Sequence, residues 1–313
     1  MQSIFSGRFD RRKFLKWQLK GALLTCAGIT LYPYKNVFAS EYPDIAVAQG
    51  DPAPATRAAV GELGDISRFV SSGQKVVIKP NMSFDHPPEN ATNTHPEVVS
   101  TIAGMCREAG ASEISVLDNP LRSMEMCIEK SGIADATKDN NQCSVRVRKS
   151  SDKFQEVSLP QGKQINSRRV MKEVLDADVL IAVPVAKHHA ATGVSLSMKG
   201  MLGLIQNRSE LHSPYDLHES IVDLCTLLNA DLTVIDASRA LTENGPSGPG
   251  KVVEPNQIIA STDMVAADSQ AVSTIKWGGY SVSPGQVKHI KIAHKRGLGR
   301  MDIENLNVKK VKT

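Results

Sequence analysis

Short apolar segments separated by helical stretches recur along most of this chain, and they constrain its fold more than any other feature. Five have the length and composition of strands: residues 45–48, 76–78, 114–117, 179–183 and 232–235. Most are continuously apolar, as expected for strands covered on both faces of a parallel sheet. The intervening stretches predict helices over about residues 54–70, 96–109, 122–131, 168–175, 217–229 and 264–276. We therefore predict an α/β fold, with a mainly parallel sheet and helices on both faces.

No linker rich in proline, glycine or serine divides the chain after its N-terminal segment. We expect a single α/β domain over residues 40–313. A polar stretch at about residues 143–160 predicts an inserted hairpin within that domain.

Polar and ionisable side chains follow four of the predicted strands. The segments are Lys79-Pro80-Asn81, Asp118-Asn119-Pro120, Lys187-His188-His189 and Asp236-Ala237-Ser238-Arg239. In open α/β sheets, ligands bind beyond the carboxyl ends of the strands. A polar loop alone means little, but four such strand ends favour a shared binding site.

Six short motifs occur in an order that resembles a known family. They are Lys79-Pro80-Asn81, Thr94-His95-Pro96-Glu97, Lys187-His188, Lys199-Gly200-Met201-Leu202-Gly203, Asn244-Gly245-Pro246-Ser247-Gly248 and Asp263-Met264-Val265-Ala266-Ala267-Asp268. Together they resemble the domain-of-unknown-function family 362 over about residues 45–300. The resemblance implies the fold and the position of a site, but no activity. Some members of that family carry an appended ferredoxin segment, whose cysteines this chain lacks.

Thr94-His95-Pro96-Glu97 lies at the start of a predicted helix. Thr94 and Glu97 fit a capping box, in which each side chain binds a backbone N–H of the first turn. In a second interpretation the helix N-terminus attracts an anion, and His95 donates to a carboxylate or phosphate or ligates a metal. The sequence leaves both interpretations open.

Two histidines follow Lys187 in a segment that continues an apolar strand. If the chain is still extended there, successive side chains point to opposite faces. At most one of His188 and His189 then faces the site. We assign His188 to the site because it matches the usage of the family that the chain resembles.

Lys199 and Asp268 are ionisable residues in apolar surroundings. Lys199 either extends to water along its aliphatic stem or is partly buried, which lowers the pKa of a lysine. Asp268 shares a predicted helical face with Val265 and Val272, so its carboxylate needs a partner. Lys199 or Lys79 is the expected partner, and metal coordination is the alternative role for Asp268.

The N-terminus has the organisation of an export signal. Arg11-Arg12-Lys13-Phe14-Leu15-Lys16 resembles the twin-arginine motif, a moderately apolar stretch follows over about residues 21–31, and Val37-Phe38-Ala39 resembles a cleavage site. We predict a twin-arginine-type signal peptide at residues 1–39 and a periplasmic location. The alternative interpretation is a basic amphipathic helix that lies on a membrane. If the signal peptide is not cleaved, it would be the part of the chain that contacts the membrane.

Charge and composition exclude several classes of protein. The net charge is +4, but residues 1–39 carry seven basic side chains and one acidic side chain, so residues 40–313 have a net charge of −2. A nucleic-acid footprint needs a basic surface on the folded domain, and an aromatic content of 4% argues against base stacking. We therefore expect no nucleic-acid partner.

The cysteines of the predicted mature chain are widely spaced. They are Cys106, Cys127, Cys143 and Cys225. Ferredoxin-type clusters and zinc ribbons need closely spaced pairs, so we expect no iron–sulfur cluster from this chain alone. Buried thiols are the favoured interpretation, and a disulfide such as Cys127–Cys143 stays open.

We predict an exported enzyme that acts on a small anionic substrate. The predicted catalytic groups are His95, His188 and Lys199, the predicted substrate-binding groups are Lys79, Asn81 and Lys187, and the predicted ligands of a divalent metal are Asp236 and Asp268. All eight are expected at one pocket at the carboxyl ends of the strands. The alternative is a non-catalytic periplasmic protein, either a ligand binder or an accessory factor of a redox enzyme.

Overall fold

The computed structural model describes residues 41–313. Within that range the strands are β1 (Ile45–Gln49), β2 (Lys75–Pro80), β3 (Glu113–Asp118), β4 (Cys143–Val147), β5 (Phe154–Ser158), β6 (Ser167–Met171), β7 (Val179–Val183), β8 (Val185–His189), β9 (Gly193–Ser195), β10 (Leu232–Leu241), β11 (Val252–Val253), β12 (Gln257–Ser261) and β13 (Val308–Lys312). The helices are α1 (Pro52–Glu62), α2 (Pro96–Glu108), α3 (Met124–Ser131), α4 (Ile133–Thr137), α5 (Lys172–Asp176), α6 (Ser197–Gly200), α7 (Leu217–Cys225), α8 (Met264–Thr274) and α9 (Lys288–Lys295).

Eleven of these strands form one mixed sheet in the order β13-β1-β12-β10-β7-β2-β3-β4, with β8, β9 and β11 attached beyond β10. The run from β10 to β4 is parallel throughout. Strand β12 is antiparallel to both of its neighbours. All five strands predicted from apolar runs are present, and the predicted mainly parallel sheet is confirmed.

Helices cover both faces of the sheet, as predicted. Within β2 and β3, successive side chains enter different cores: Val77 and Leu117 pack on the side of α7, α8 and α9, whereas Ile78 and Val116 pack on the side of α1 and α2. This double burial explains why these strands are continuously apolar.

The inserted hairpin lies further along the chain than predicted. Residues 143–147 form β4, which pairs in parallel with β3 at the edge of the main sheet. The hairpin is made by β5 and β6, in which Phe154 lies opposite Met171 and both are buried. Because residues 167–171 belong to β6, the helix predicted from residue 168 begins only at Lys172.

The predicted export signal, its cleavage site and its apolar stretch all lie outside the described residues. Among residues 41–313, none of the helices is both long enough and apolar enough to cross a bilayer.

Candidate functional site

A cavity of about 380 Å³ lies beyond the carboxyl ends of β2 and β3 and against β8. Its basic lining residues are Lys79, Lys187, Lys199 and Arg208. Asp118 supplies the one carboxylate among its lining residues. We call this space the cationic cavity.

The floor of the cationic cavity is an ion pair between neighbouring strand ends. Lys79 Nζ lies 3.2 Å from Asp118 Oδ1, and both side chains are buried. Asp118 Oδ2 also accepts hydrogen bonds from Met82 N at 2.8 Å and Ser83 Oγ at 2.9 Å. Burial acts to raise the pKa of Asp118, but the charges of Lys79 and Arg208 and the hydrogen bonds from Met82 and Ser83 together outweigh burial, so this pKa lies below its usual range. Burial lowers the pKa of Lys79, and Asp118 only partly offsets this.

Gly203 explains part of the Lys-Gly-x-Leu-Gly motif. A Cβ atom at this position would lie 2.2 Å from Asp118 Oδ1 and 2.5 Å from Lys79 Cε. Both distances are far below van der Waals contact, so a larger residue here would displace the ion pair. The motif thus places a residue without a side chain, Gly203, directly against the Lys79–Asp118 ion pair.

Lys187 is as deeply buried as Lys79, with 2% of its surface exposed. Its Nζ donates to the carbonyl of Thr92 at 2.5 Å and lies 5.0 Å from the ring centroid of Phe84. Burial lowers the pKa of Lys187 to about 7, and the charges of Lys79, Lys199 and Arg208 act in the same direction against the opposing effect of Asp118. A lysine with a pKa near 7 is present in both its charged and its neutral form at neutral pH, so it can release and accept a proton there.

Lys199 and Arg208 are half-buried and lie closer to solvent. Burial, followed by the charges of Arg208 and Lys79, lowers the pKa of Lys199 to about 8. Burial also lowers the pKa of Arg208, although Asp118 opposes the shift. Arg208 was not predicted as a site residue, because it lies outside every predicted strand end.

Asp268 positions the short helix that carries Lys199. Its carboxylate accepts hydrogen bonds from Ser197 N at 2.8 Å, Ser197 Oγ at 2.6 Å and Met198 N at 3.1 Å. These donors lie at the start of α6, so Asp268 caps that helix from α8. The expected pairing of Asp268 with Lys199 or Lys79 is therefore wrong, because Lys79 pairs with Asp118 and Asp268 binds backbone and hydroxyl donors. Burial raises the pKa of Asp268 to about 7.

Asn81 and Thr94 join the ends of two parallel strands beside the cavity. Asn81 Oδ1 accepts from Val185 N at 3.1 Å, and Asn81 N donates to Thr94 Oγ1 at 2.8 Å. Thr94 Oγ1 in turn donates to the carbonyl of Val183 at 2.7 Å. Thr94 is therefore not the helix cap that the sequence suggested.

His95 takes the capping position instead. Its Nδ1 accepts from Glu97 N at 3.2 Å, and its backbone N–H donates to Asp236 Oδ2 at 2.7 Å. Burial and the charge of Arg239 lower the pKa of His95, which suits a neutral imidazole acting as an acceptor. Neither His95 nor Asp236 lines the cationic cavity.

The assignment of His188 to this cavity is wrong. Strand β8 is extended, so Lys187 and His189 share one face and both line the cationic cavity. His188 points to the other side and lines a separate cavity, where its Nδ1 accepts from Gly245 N at 3.1 Å. Burial, then the charges of Lys199 and Lys187, lower the pKa of His189 to about 3.

Four of the eight predicted site residues thus line the cationic cavity: Lys79, Asn81, Lys187 and Lys199. His95, His188, Asp236 and Asp268 do not. Sequence reasoning left out Asp118, His189 and Arg208. Asp118 did carry a signal, because it follows one of the four polar strand ends.

The two predicted metal ligands do not suit that role. Asp236 accepts from His95 N, from Ser238 N at 3.1 Å and from Ser238 Oγ at 2.6 Å, and the oxygens of Asp268 are similarly occupied by donors. Over residues 41–313, no three His, Cys, Asp or Glu side chains are grouped to hold a metal ion. The excess of cations in the cavity also disfavours a divalent metal there.

The four cysteines of the described chain are free thiols, so the disulfide considered for Cys127 and Cys143 is not formed. Cys106, Cys127 and Cys225 are buried, and Cys143 is half-buried.

These features define an α/β protein with a cationic cavity at the carboxyl ends of its parallel strands. Residues 76–273 match the family described as domain of unknown function (DUF362), and the chain belongs to that family. A thylakoid-associated protein of Synechocystis sp. is 27% identical over 218 residues, which cover 66% of this chain and 64% of that protein. The matched region thus spans less than two thirds of that relative's length.

Among solved structures, the lactate racemase apoprotein from Thermoanaerobacterium thermosaccharolyticum is similar to this chain. The sequence identity is 15% and the TM-score is 0.45, with 74% of this chain and 57% of that chain covered.

Proposed function

We propose that the protein is an enzyme that binds a small anionic substrate in the cationic cavity. The observation that carries the proposal is the charge of the lining: three lysines and one arginine surround about 380 Å³ with a single carboxylate among them. Like charges in a partly desolvated space repel strongly. A bound carboxylate or phosphate relieves that repulsion, which supports an anion as the ligand.

The cations have different positions and therefore different proposed roles. Arg208 and Lys199 are half-buried near solvent and hold the incoming anion, since guanidinium groups bind carboxylate and phosphate through two parallel hydrogen bonds. Lys187, buried and with a pKa near 7, accepts a proton from the substrate and returns it. Lys79 is neutralised by Asp118 and fixes the floor. In this proposal Lys187 takes the catalytic role that was predicted for His95, His188 and Lys199.

Anion binding is tested by calorimetric titration with inorganic phosphate and with succinate. We expect Arg208→Gln to weaken binding about tenfold or more, because it removes a charge-assisted hydrogen bond. Lys291→Gln is the matched control, since it removes an exposed cation from α9 away from the cavity lining. Equal losses in both variants would mean that the anions bind by general surface charge, and the proposal would then fail.

Catalysis is tested separately from binding. Small carboxylic acids that bind are incubated with the protein in deuterium oxide, and loss of the proton next to the carboxylate is followed by NMR. We expect exchange in the native protein and none in Lys187→Gln, while binding persists in that variant. Binding without exchange for every acid tested favours a non-catalytic ligand-binding protein.

We further propose that the protein is exported to the periplasm by the twin-arginine route. The support is the order of the arginine pair, the apolar stretch and the Val37-Phe38-Ala39 site within residues 1–39. Replacing both Arg11 and Arg12 by Lys should leave the precursor in the cytoplasm. Arg8→Lys is the matched control, because it makes the same change outside the pair. Unchanged export of the double variant would reject this route.

A further inference from the structure

A second, larger cavity of about 600 Å³ lies on the other side of β8. His188 lines this cavity, whereas Lys187 and His189 on the same strand line the cationic cavity. The proposed function makes no use of this space. Its volume lies in the range of pockets that bind small molecules.

The charge of the second cavity differs from that of the first. Lys288 is the one Lys or Arg that lines it, and the Lys288 ammonium is paired with Asp216 at 2.5 Å. Glu243 is half-buried and supplies the one carboxylate of the lining. Within residues 41–313, this carboxylate has no hydrogen-bond or ion-pair partner. Its oxygens are therefore open to charge-assisted hydrogen bonds from a cation of the ligand.

Aromatic and neutral groups make up much of the remaining wall. Trp277 lines the cavity with 6% of its surface exposed, and its indole N–H already donates to the carbonyl of Val272 at 3.1 Å. Val194, Val282 and Val287 add apolar surface. Indole rings attract cations through their electron-rich faces, most strongly where water is excluded.

Two stacked imidazoles on one side of this cavity, His218 and His289, add no positive charge at neutral pH. His218 lines the cavity and stacks on His289, with ring centroids 5.7 Å apart. Burial, followed by the proximity of His218, lowers the pKa of His289 to about 3, and burial also lowers the pKa of His218. Because both rings are neutral near pH 7, they do not repel a bound cation.

We propose that the second cavity binds a small organic cation with an apolar body, held by Glu243 and packed against Trp277. An amidine suits the site best, because its two N–H groups match the two oxygens of a carboxylate. The two cavities on either side of β8 then accept ligands of opposite charge. This proposal does not depend on the proposed function of the cationic cavity.

The test compares three probes of nearly equal shape: benzamidine, benzamide and benzoate, which are cationic, neutral and anionic. Calorimetry on the native protein should show benzamidine binding more tightly than benzamide. In Glu243→Gln we expect benzamidine to lose about tenfold or more in affinity, since a charge-assisted hydrogen bond is removed. Arg208→Gln, a variant of the cationic cavity, should leave benzamidine binding unchanged.

The position of the bound probe is read from a tryptophan signal. The chain has two tryptophans, Trp17 and Trp277, so in a Trp17→Phe background the indole N–H resonance reports on Trp277 alone. Benzamidine should shift that resonance. Trp277→Leu should weaken benzamidine binding without abolishing the fold, which circular dichroism checks.

Three results would each overturn the proposal: equal affinity for benzamide and benzamidine, an unmoved Trp277 resonance, or full benzamidine affinity in Glu243→Gln. Loss of benzoate binding in Arg208→Gln reports on the cationic cavity, so the two proposals fail independently.

Discussion

Lys79 Nζ and Asp118 Oδ1 lie 3.2 Å apart, and only 2% and 1% of the two side-chain surfaces are exposed. The pair joins the carboxyl ends of the neighbouring strands β2 and β3. Asp118 also accepts hydrogen bonds from its surroundings, including Asn119 N at 2.8 Å, so the buried carboxylate is well satisfied. A neutralised floor of this kind leaves Lys187, Lys199 and Arg208 as the excess charge of the cavity.

Gly203→Ala should disrupt this pair. The added Cβ would lie 2.2 Å from Asp118 Oδ1, so the ion pair or the chain around residue 203 must move. We expect a loss of about 1–3 kcal/mol in the free energy of unfolding, as for other overpacked sites. Urea denaturation measures the loss.

Gly200→Ala is the matched control for that experiment. It lies in the same motif, but a Cβ there has no atom within 4 Å. Because Ala is preferred to Gly in a helix by about 0.5–1 kcal/mol, the control should be neutral or slightly stabilising. Equal stability of the two variants would show that Gly203 does not act through close packing.

Asp118→Asn should cost more stability than most single substitutions. The change leaves the Lys79 ammonium buried beside a neutral group, and breaking a buried pair in this way typically costs about 3–5 kcal/mol. The double variant Lys79→Met/Asp118→Asn should recover part of the loss, since it removes the unpaired charge as well. Chemical denaturation of both variants measures the difference. If the double variant is less stable than Asp118→Asn, the two residues are not coupled as the geometry indicates.

The parallel part of the sheet was predictable because its strands are buried on both faces. Val76-Val77-Ile78 and Val179–Val183 are continuously apolar for that reason. Strand β13 escaped prediction because it lies at the edge of the sheet and consists of lysine and valine, with Lys309, Lys310 and Lys312 exposed. Lysine is common on edge strands, where it prevents pairing with other chains, but it hides the apolar pattern.

Strand ends revealed most of the candidate site, and Lys199 was found separately because it is an ionisable residue in an apolar segment. Lys79 and Lys187 follow apolar strands and were found for that reason. The choice between His188 and His189 went wrong although the strand period decides it: once Lys187 faces the cavity, the residue two positions later shares its face. The pairing of Lys79 with Asp118 depends on which strands are neighbours, and strand order is not written in the local sequence. Arg208 lies on a short turn between two helices, and its local sequence does not show that this turn folds over the strand ends.

Anion affinity should fall as the pH rises through the range of the two titrating lysines. The pKa of Lys187 is lowered to about 7 and that of Lys199 to about 8, so both are charged below that range and lose their protons within it. Arg208 stays charged throughout. Phosphate itself titrates near neutrality, so succinate is the better probe for calorimetry across this range. A pH-independent affinity for succinate between about pH 6 and pH 9 would contradict the charge states assigned to these lysines.

Lys187→Met should raise stability at neutral and lower pH. Folding lowers the pKa of Lys187 from 10.5 to about 7, so between these values the unfolded chain holds one proton more than the folded chain. The free energy of unfolding of the native protein must therefore rise with pH across that window, and below it the buried charge is a constant penalty. Removing the amine should stabilise the fold by roughly 1–4 kcal/mol at about pH 6, and by less at about pH 9. Urea denaturation at both pH values measures this, and a destabilised variant at low pH would contradict it.

Ser197→Ala should loosen the helix that carries Lys199. The Ser197 hydroxyl donates to Asp268 at 2.6 Å, and its loss leaves the buried carboxylate with backbone donors alone. We expect a loss of about 1–3 kcal/mol in the free energy of unfolding and weaker succinate binding.

The cost of this substitution should also depend on pH. Burial raises the pKa of Asp268 to about 7. Between pH 3.8 and about 7 the folded chain therefore holds a proton that the unfolded chain has lost, and the free energy of unfolding falls as the pH rises through that range. Because the missing donor matters most to the ionised carboxylate, the cost of Ser197→Ala should be larger at about pH 8 than at about pH 5.

Ser269→Ala is the control, since the Ser269 hydroxyl donates to the carbonyl of Val265 within α8 and connects no other element. The free energy of unfolding of both variants is measured by urea denaturation at the two pH values, and succinate binding is titrated in parallel. If the two substitutions cost the same free energy of unfolding at both pH values, Asp268 does not act as a cap of α6.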